Sequence, residues 1–189
     1  METINKSAME KKGDSSNTSN NHLFPVFLKL EELRVLLVGA GKVGLEKLTS
    51  LLTNSPLTPV HIVATEVSDE VRKLAASHAG VVIEKRNFHP VDLQEKDLVI
   101  IAINDKVESL RIRQLAKENK LLVNVADTPD QCDFYLSSIV QKGNLKIAIS
   151  TNGKSPTIAK RIKEVLHDAI PGEMNEAIEN MNRVRNKLN

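Results

Sequence analysis

The sequence predicts an α/β fold, a Rossmann-type doubly wound parallel sheet followed by a β-hairpin dimerisation region and C-terminal helices. Three observations carry this. A glycine-rich turn, Gly39-Ala40-Gly41-Lys42-Val43-Gly44, joins an apolar run to an amphipathic one. Short, near-continuous apolar runs then alternate with helical periodicity as far as Ala126. Beyond Asp127 two apolar runs are separated only by Gln141-Lys142-Gly143-Asn144, a turn too short for a crossover.

In chain order, the polar stretch 1–22 reads as a disordered tail. A short apolar lead-in follows from Leu23 to Leu30. Strands are predicted over Arg34 to Val38, Pro59 to Ala64, Val81 to Glu84, Leu98 to Ile103 and Leu121 to Ala126, with helices over Lys42 to Thr53, Val67 to His78 and Val107 to Asn119. Strands such as Val-Ile-Ile-Ala-Ile are apolar on both faces, so helices should cover both sides of the sheet. Phe134 to Val140 and Leu145 to Thr151 form the hairpin. Ser155-Pro156 supplies an N-cap and a first-turn proline for a helix over Thr157 to Ala169, which Pro171-Gly172 ends, and a polar helix over Glu173 to Leu188 closes the chain. The expected division is a tail at 1–22, a dinucleotide-binding domain at 23–128, the hairpin region at 129–151 and a helical region at 152–189.

Composition narrows the function. The 189 residues hold one cysteine, Cys132, which excludes an internal disulfide and multi-cysteine clusters and fits a reducing cytoplasm. No apolar run reaches the ~20 residues of a membrane span, and the N-terminus lacks the apolar middle of a secretory signal. Net charge is only +2, and aromatic residues are 3%, which leaves little for nucleic acid to bind or stack on. From Gln141 onward 9 basic residues face 5 acidic ones, a bias suited to a small polyanion. The five histidines, His22, His61, His78, His89 and His167, have no metal-ligand spacing, so no metal site is expected.

The glycine turn is where a dinucleotide pyrophosphate would sit. Gly39 serves the tight turn, Gly41 lets backbone approach the phosphates, and Gly44 lets helix and strand pack closely. The helix N-terminus, with Lys42 and Val43, turns N–H groups and the positive end of its dipole toward the anion. Glu66 falls 22 residues past Gly44, where a carboxylate accepts ribose hydroxyl hydrogen bonds and repels the extra phosphate of NADP, which favours NAD. The competing reading gives Glu66, with Asp69 and Glu70, to the first turn of the next helix. Asn104 and Asp105 follow the fourth strand at the edge where such sheets bind ligands, and Asp127 follows the fifth. Asp127 stands where the sheet hands over to the hairpin, so it could face both cofactor and substrate, or simply open a turn before Pro129.

Phe24-Pro25-Val26-Phe27-Leu28, Val38 to Gly44, Asn124-Val125-Ala126-Asp127 and Ser150-Thr151-Asn152-Gly153-Lys154-Ser155-Pro156 occur in an order and at a spacing that resemble the siroheme-synthase N-terminal family. The resemblance runs from about Leu23 to Leu166. It implies a homodimer using NAD to dehydrogenate precorrin-2 to sirohydrochlorin, with a separate chelatase completing the route. A bifunctional dehydrogenase and ferrochelatase is the alternative, and an NAD(H)-sensing module is a further one. It also implies a catalytic role for Asp127, as proton acceptor or as substrate anchor, and a substrate-side loop bearing Thr151, Gly153, Lys154 and Ser155. Lys142, Lys160 and Arg161 are candidate charge partners. Ser155 is equally placed to cap a helix. Two departures stand out: Asn152 where the family commonly has glycine, and Ser137 where proline is frequent. Only 18 residues follow Pro171, and the length leaves no room for the methyltransferase domain that some relatives carry.

Overall fold

The computed structural model describes residues 20–188, so most of the tail expected over 1–22 lies outside the described residues. Five parallel strands, β1 (Val35–Ala40), β2 (Val60–Val67), β3 (Val81–Lys85), β4 (Leu98–Ile101) and β5 (Leu122–Val125), form one sheet in the order β3-β2-β1-β4-β5. This doubly wound order reverses direction between β1 and β4 and opens a crevice there. Helices α1 (Lys42–Asn54), α2 (Asp69–Ala76) and α3 (Lys106–Glu118) flank the sheet. Among the described residues no helix is long and apolar enough to cross a membrane.

The period of two in β1 sorts the core. Val35 and Leu37 pack with Leu48, Leu51 and Leu52 of α1 and Val71 of α2, whereas Leu36 and Val38 pack with Ile112 and Ala116 of α3. Both faces of the central strands are therefore covered, as their apolar runs predict. The connection from β3 to β4 contains a single 3-10 turn, Pro90–Leu93, in place of a helix, and Phe88 and Leu93 from it fill the α3 face.

Two strand limits differ from the sequence expectation for identifiable reasons. β2 runs on to Val67 because its pairing with β1 slips: Val38 opposes Val63, but Ala40 opposes Val67. That irregularity places Thr65 and Glu66 within the strand's exposed end. The hairpin strand β6 (Ser138–Lys142) starts later than expected because Phe134 and Leu136 are spent on the main core, and it runs on through Gln141 and Lys142, while β7 (Leu145–Ile149) stops two residues short of Thr151. Phe134 and Leu136 pack against the α1 side, and the Asn124 side chain donates to the Phe134 carbonyl at 2.8 Å. Helix α4 (Pro156–Ala169) packs on β6, and α5 (Met174–Leu188) follows. Lys146 ties the hairpin back to the sheet domain by donating to the Asn54 carbonyl at the end of α1, at 2.6 Å.

Candidate active site

The glycine turn leaves β1 and enters α1 with each glycine constrained differently. Gly39 adopts φ +103° and lies against the Ala102 carbonyl, where a β-carbon would overlap it. A β-carbon on Gly44 would overlap the Gly39 carbonyl, so helix and strand close to backbone contact there. Gly41, by contrast, has nothing within 4 Å of an added β-carbon: its open side faces a cavity. It is also the N-cap of α1, and no side chain caps that terminus. An anion seated there meets backbone N–H groups and the helix dipole with no competing side chain.

The cavity has a volume of ≈ 750 Å³, a size suited to a nucleotide ligand. Gly39, Ala40, Gly41, Lys42, Val43, Glu66, Asn104 and Asp105 all line it, so the predicted cofactor residues converge, with Gly44 packed just behind. Glu66 stands at the end of β2, while the first turn of α2 takes its negative charge from Asp69 and Glu70 and its cap from Ser68. Asp105 has a second duty: its Oδ1 accepts from the Val107 and Glu108 N–H groups at 2.9 and 3.0 Å and caps α3. The pattern Asp105-Lys106-Val107-Glu108 carries that signal in the sequence.

Among the lining residues that sequence reasoning missed are Arg86, Phe88, Glu108 and Arg111. Arg86 lies just past β3, one residue beyond the Ala64–Lys85 pair, and lines the same cavity as Thr65 and Glu66. Its Nε donates to Glu84 at 2.6 Å, and its two terminal nitrogens grip both oxygens of Asp92 at 2.8 and 2.7 Å. Burial pushes the Asp92 carboxyl up, but the Arg86 hydrogen bonds and the His89 N–H outweigh it and hold the pKa below its ordinary value. Arg111 is paired with Glu108 at 2.7 Å and lies 5.7 Å from the centre of the Phe88 ring. Arg86 and Phe88 come from a loop with no periodicity, which is why no pattern announces them, whereas Glu108 and Arg111 are an i, i+3 pair on α3.

Asp127 is exposed and does not line this cavity; it stands one strand further along the same edge, after β5. It occupies the third position of a turn closed by Thr128 N–H donating to the Val125 carbonyl, with φ +56°. A non-glycine residue there is uncommon, although aspartate tolerates it better than most. Cys132 braces the turn: its Sγ takes the Val125 N–H and donates to the Val125 carbonyl, both at 3.2 Å. Burial pushes the thiol's pKa up, which suits a packed rather than a reactive cysteine.

The loop from Ser150 to Pro156 folds toward the same segment. An added β-carbon at Gly153, φ +73°, would touch Pro129 at 3.4 Å, two residues beyond Asp127. Asn152 also has a left-handed φ of +56°, which explains how it stands where glycine is common: asparagine tolerates this region. The Thr151 hydroxyl accepts from Ser155 N–H at 3.2 Å and donates to the Ser155 carbonyl at 3.0 Å, while the Ser155 hydroxyl caps α4 through Ile158 N–H. Both hydroxyls thus shape the loop, which approaches the Asp127 segment at Pro129.

The comparisons with known proteins agree with this geometry. A family model described as putative NAD(P)-binding matches residues 26–138, and one described as sirohaem biosynthesis protein central matches residues 142–168. A siroheme synthase of Nitrosomonas europaea is 30% identical over 164 residues, covering 87% of this chain and 34% of that protein. One of Pseudoalteromonas atlantica is 34% identical over 148 residues, covering 78% and 31%. The chain thus spans about a third of the length of the curated relatives it matches. A solved structure described as SirC, precorrin-2 dehydrogenase, superposes with a TM-score of 0.72 at 26% identity, covering 86% of this chain and 79% of that one.

Proposed function

The chain belongs to the siroheme-synthase N-terminal family of NAD(P)-binding proteins, and we propose that it acts as an NAD-dependent dehydrogenase converting precorrin-2 to sirohydrochlorin. The observation that carries the reading is a dinucleotide-sized cavity, opening at Gly41, on the same sheet edge as Asp127 and the loop at 150–156.

Gly41 and the N-terminus of α1 would hold the pyrophosphate, with Gly39 and Gly44 shaping the turn that presents them, and Glu66 would accept from a ribose hydroxyl. Bound NAD supplies the two-electron acceptor. The substrate gives up a hydride and a proton in the oxidation, and the Asp127 carboxylate takes that proton. In this reading Lys154 meets the carboxylate-rich macrocycle, and Thr151, Gly153 and Ser155 set the loop's shape. Asp127 is the group expected to touch the reacting part of the substrate; Cys132 positions its turn.

The protein acts as a homodimer in this reading. Apolar side chains on α4 and α5, Ile158, Val165 and Met181 among them, stand exposed in the single chain, a pattern supporting burial against a second copy. A separate chelatase takes the product. The test is anaerobic turnover of precorrin-2 with NAD+, read as NADH. Metallation of sirohydrochlorin by Fe2+ without NAD+, well above the uncatalysed rate, would establish the bifunctional reading instead.

A further inference from the structure

We propose that the selectivity for NAD over NADP rests on Arg86 being occupied: Glu84 and Asp92 together deny its guanidinium to a ribose 2′-phosphate. The proposal rests on the dinucleotide reading of the cavity and deepens it.

Arg86, just past β3, lines the same cavity as Glu66, the residue expected to read the ribose. An arginine at that place ordinarily accommodates the 2′-phosphate. Four of its five N–H donors make hydrogen bonds, and the second terminal nitrogen is also ion-paired with Glu84. Nε reaches Glu84 Oε2 at 2.6 Å; one terminal nitrogen serves Asp92 Oδ2 at 2.8 Å and the Asn87 carbonyl at 3.0 Å; the other serves Asp92 Oδ1 at 2.7 Å and Glu84 Oε2. A guanidinium has five donors and no more. Two carboxylates flank the guanidinium, so an incoming phosphate meets their negative charge as well as that of Glu66. Asp92 is buried, its side chain 3% exposed, so swinging Arg86 away would strand a buried charge. Glu66 supplies repulsion; the occupied arginine removes the compensating attraction.

This separates two devices that a simple reading of Glu66 would merge. Removing Glu66 alone lifts the repulsion but leaves Arg86 engaged. Removing Glu84 as well frees the Nε donor and takes one negative charge from beside the guanidinium, and its side chain, 43% exposed, is not needed to fill the core.

The test is the ratio of NADPH to NADH affinity, followed by nicotinamide fluorescence on the full chain. Glu66→Ala should raise the ratio only a few fold. Glu66→Ala with Glu84→Ala should raise it by a further roughly tenfold or more, as expected for a recovered charge-assisted contact, and adding Arg86→Met should erase that second gain. Glu84→Gln replaces Glu84→Ala if the latter melts below the assay temperature. Full NADPH acceptance by Glu66→Ala alone, no second gain, or a gain that survives Arg86→Met would each overturn the proposal. Failure of the unaltered chain to bind NADH would instead sink the dinucleotide reading beneath it.

Discussion

Gly39 lies against the carbonyl of Ala102 with no room for a β-carbon between them, at a φ that side chains rarely adopt. Gly41, two residues on, meets nothing at all on its open side. The two glycines should therefore fail differently. Gly39→Ala is expected to cost at least about 2 kcal/mol of stability, from left-handed strain plus the push against β4. Gly41→Ala should leave stability within about 1 kcal/mol yet weaken NADH binding roughly tenfold or more, because its methyl would occupy the approach to the pyrophosphate. Thermal melts and fluorescence titration of both variants check this. Equal loss of stability in the two would contradict the assignment of Gly41 to the ligand.

The Asp127 turn separates charge from shape. Asp127→Asn keeps a residue that tolerates φ +56° but cannot take a proton, so NADH formation should fall by roughly a hundredfold or more with little change in NADH affinity. Asp127→Gly should fold at least as well, since glycine adopts this conformation freely, and be equally inactive. Activity within a few fold of the unaltered chain in Asp127→Asn would remove the carboxylate from proton transfer.

The frame of this site was legible in the sequence because its signals are local. Apolar run, glycine turn and helix are contiguous, and the 22-residue interval from Gly44 to Glu66 is set by one helix and one strand. The Arg86 clamp was not legible, because Glu84 and Asp92 meet Arg86 across a turn that shares no period with strand or helix. The slip between β1 and β2 left no mark either, since Thr65 and Glu66 read as residues beyond a strand until pairing with Ala40 and Val67 is seen. Phe134 looked like a hairpin residue because an apolar side chain suits either core.

The clamp also has an acid limit. Arg86's hydrogen bond, the largest influence, holds Glu84 below its ordinary 4.5, and Asp92 is held below its ordinary 3.8. Both groups bind protons more readily in the unfolded chain. Their contribution to stability is therefore complete above about pH 5 and lost as pH falls through the lowered folded values. His61 Nε2, 3.1 Å from Glu84 Oε1, is the other titratable neighbour. Urea melts from pH 7 to pH 3 should show stability falling below about pH 4.5, with a shallower fall in Glu84→Gln. An identical slope in that variant would contradict the role of Glu84.

Exposed apolar residues on α4 and α5 predict a dimer at micromolar protein concentration. Sedimentation should give twice the 20.9 kDa chain mass, and Ile158→Asp with Val165→Asp should shift the species toward monomer. A monomer in the unaltered protein would contradict the homodimer.

The most direct measurement follows NADH absorbance and sirohydrochlorin together, under anaerobic conditions, on adding NAD+ to the full chain with enzymatically made precorrin-2. The account predicts that NADH and sirohydrochlorin appear in equal amounts, and that NADP+ supports little turnover. Tight NADH binding without turnover would contradict it and leave a sensing module in its place.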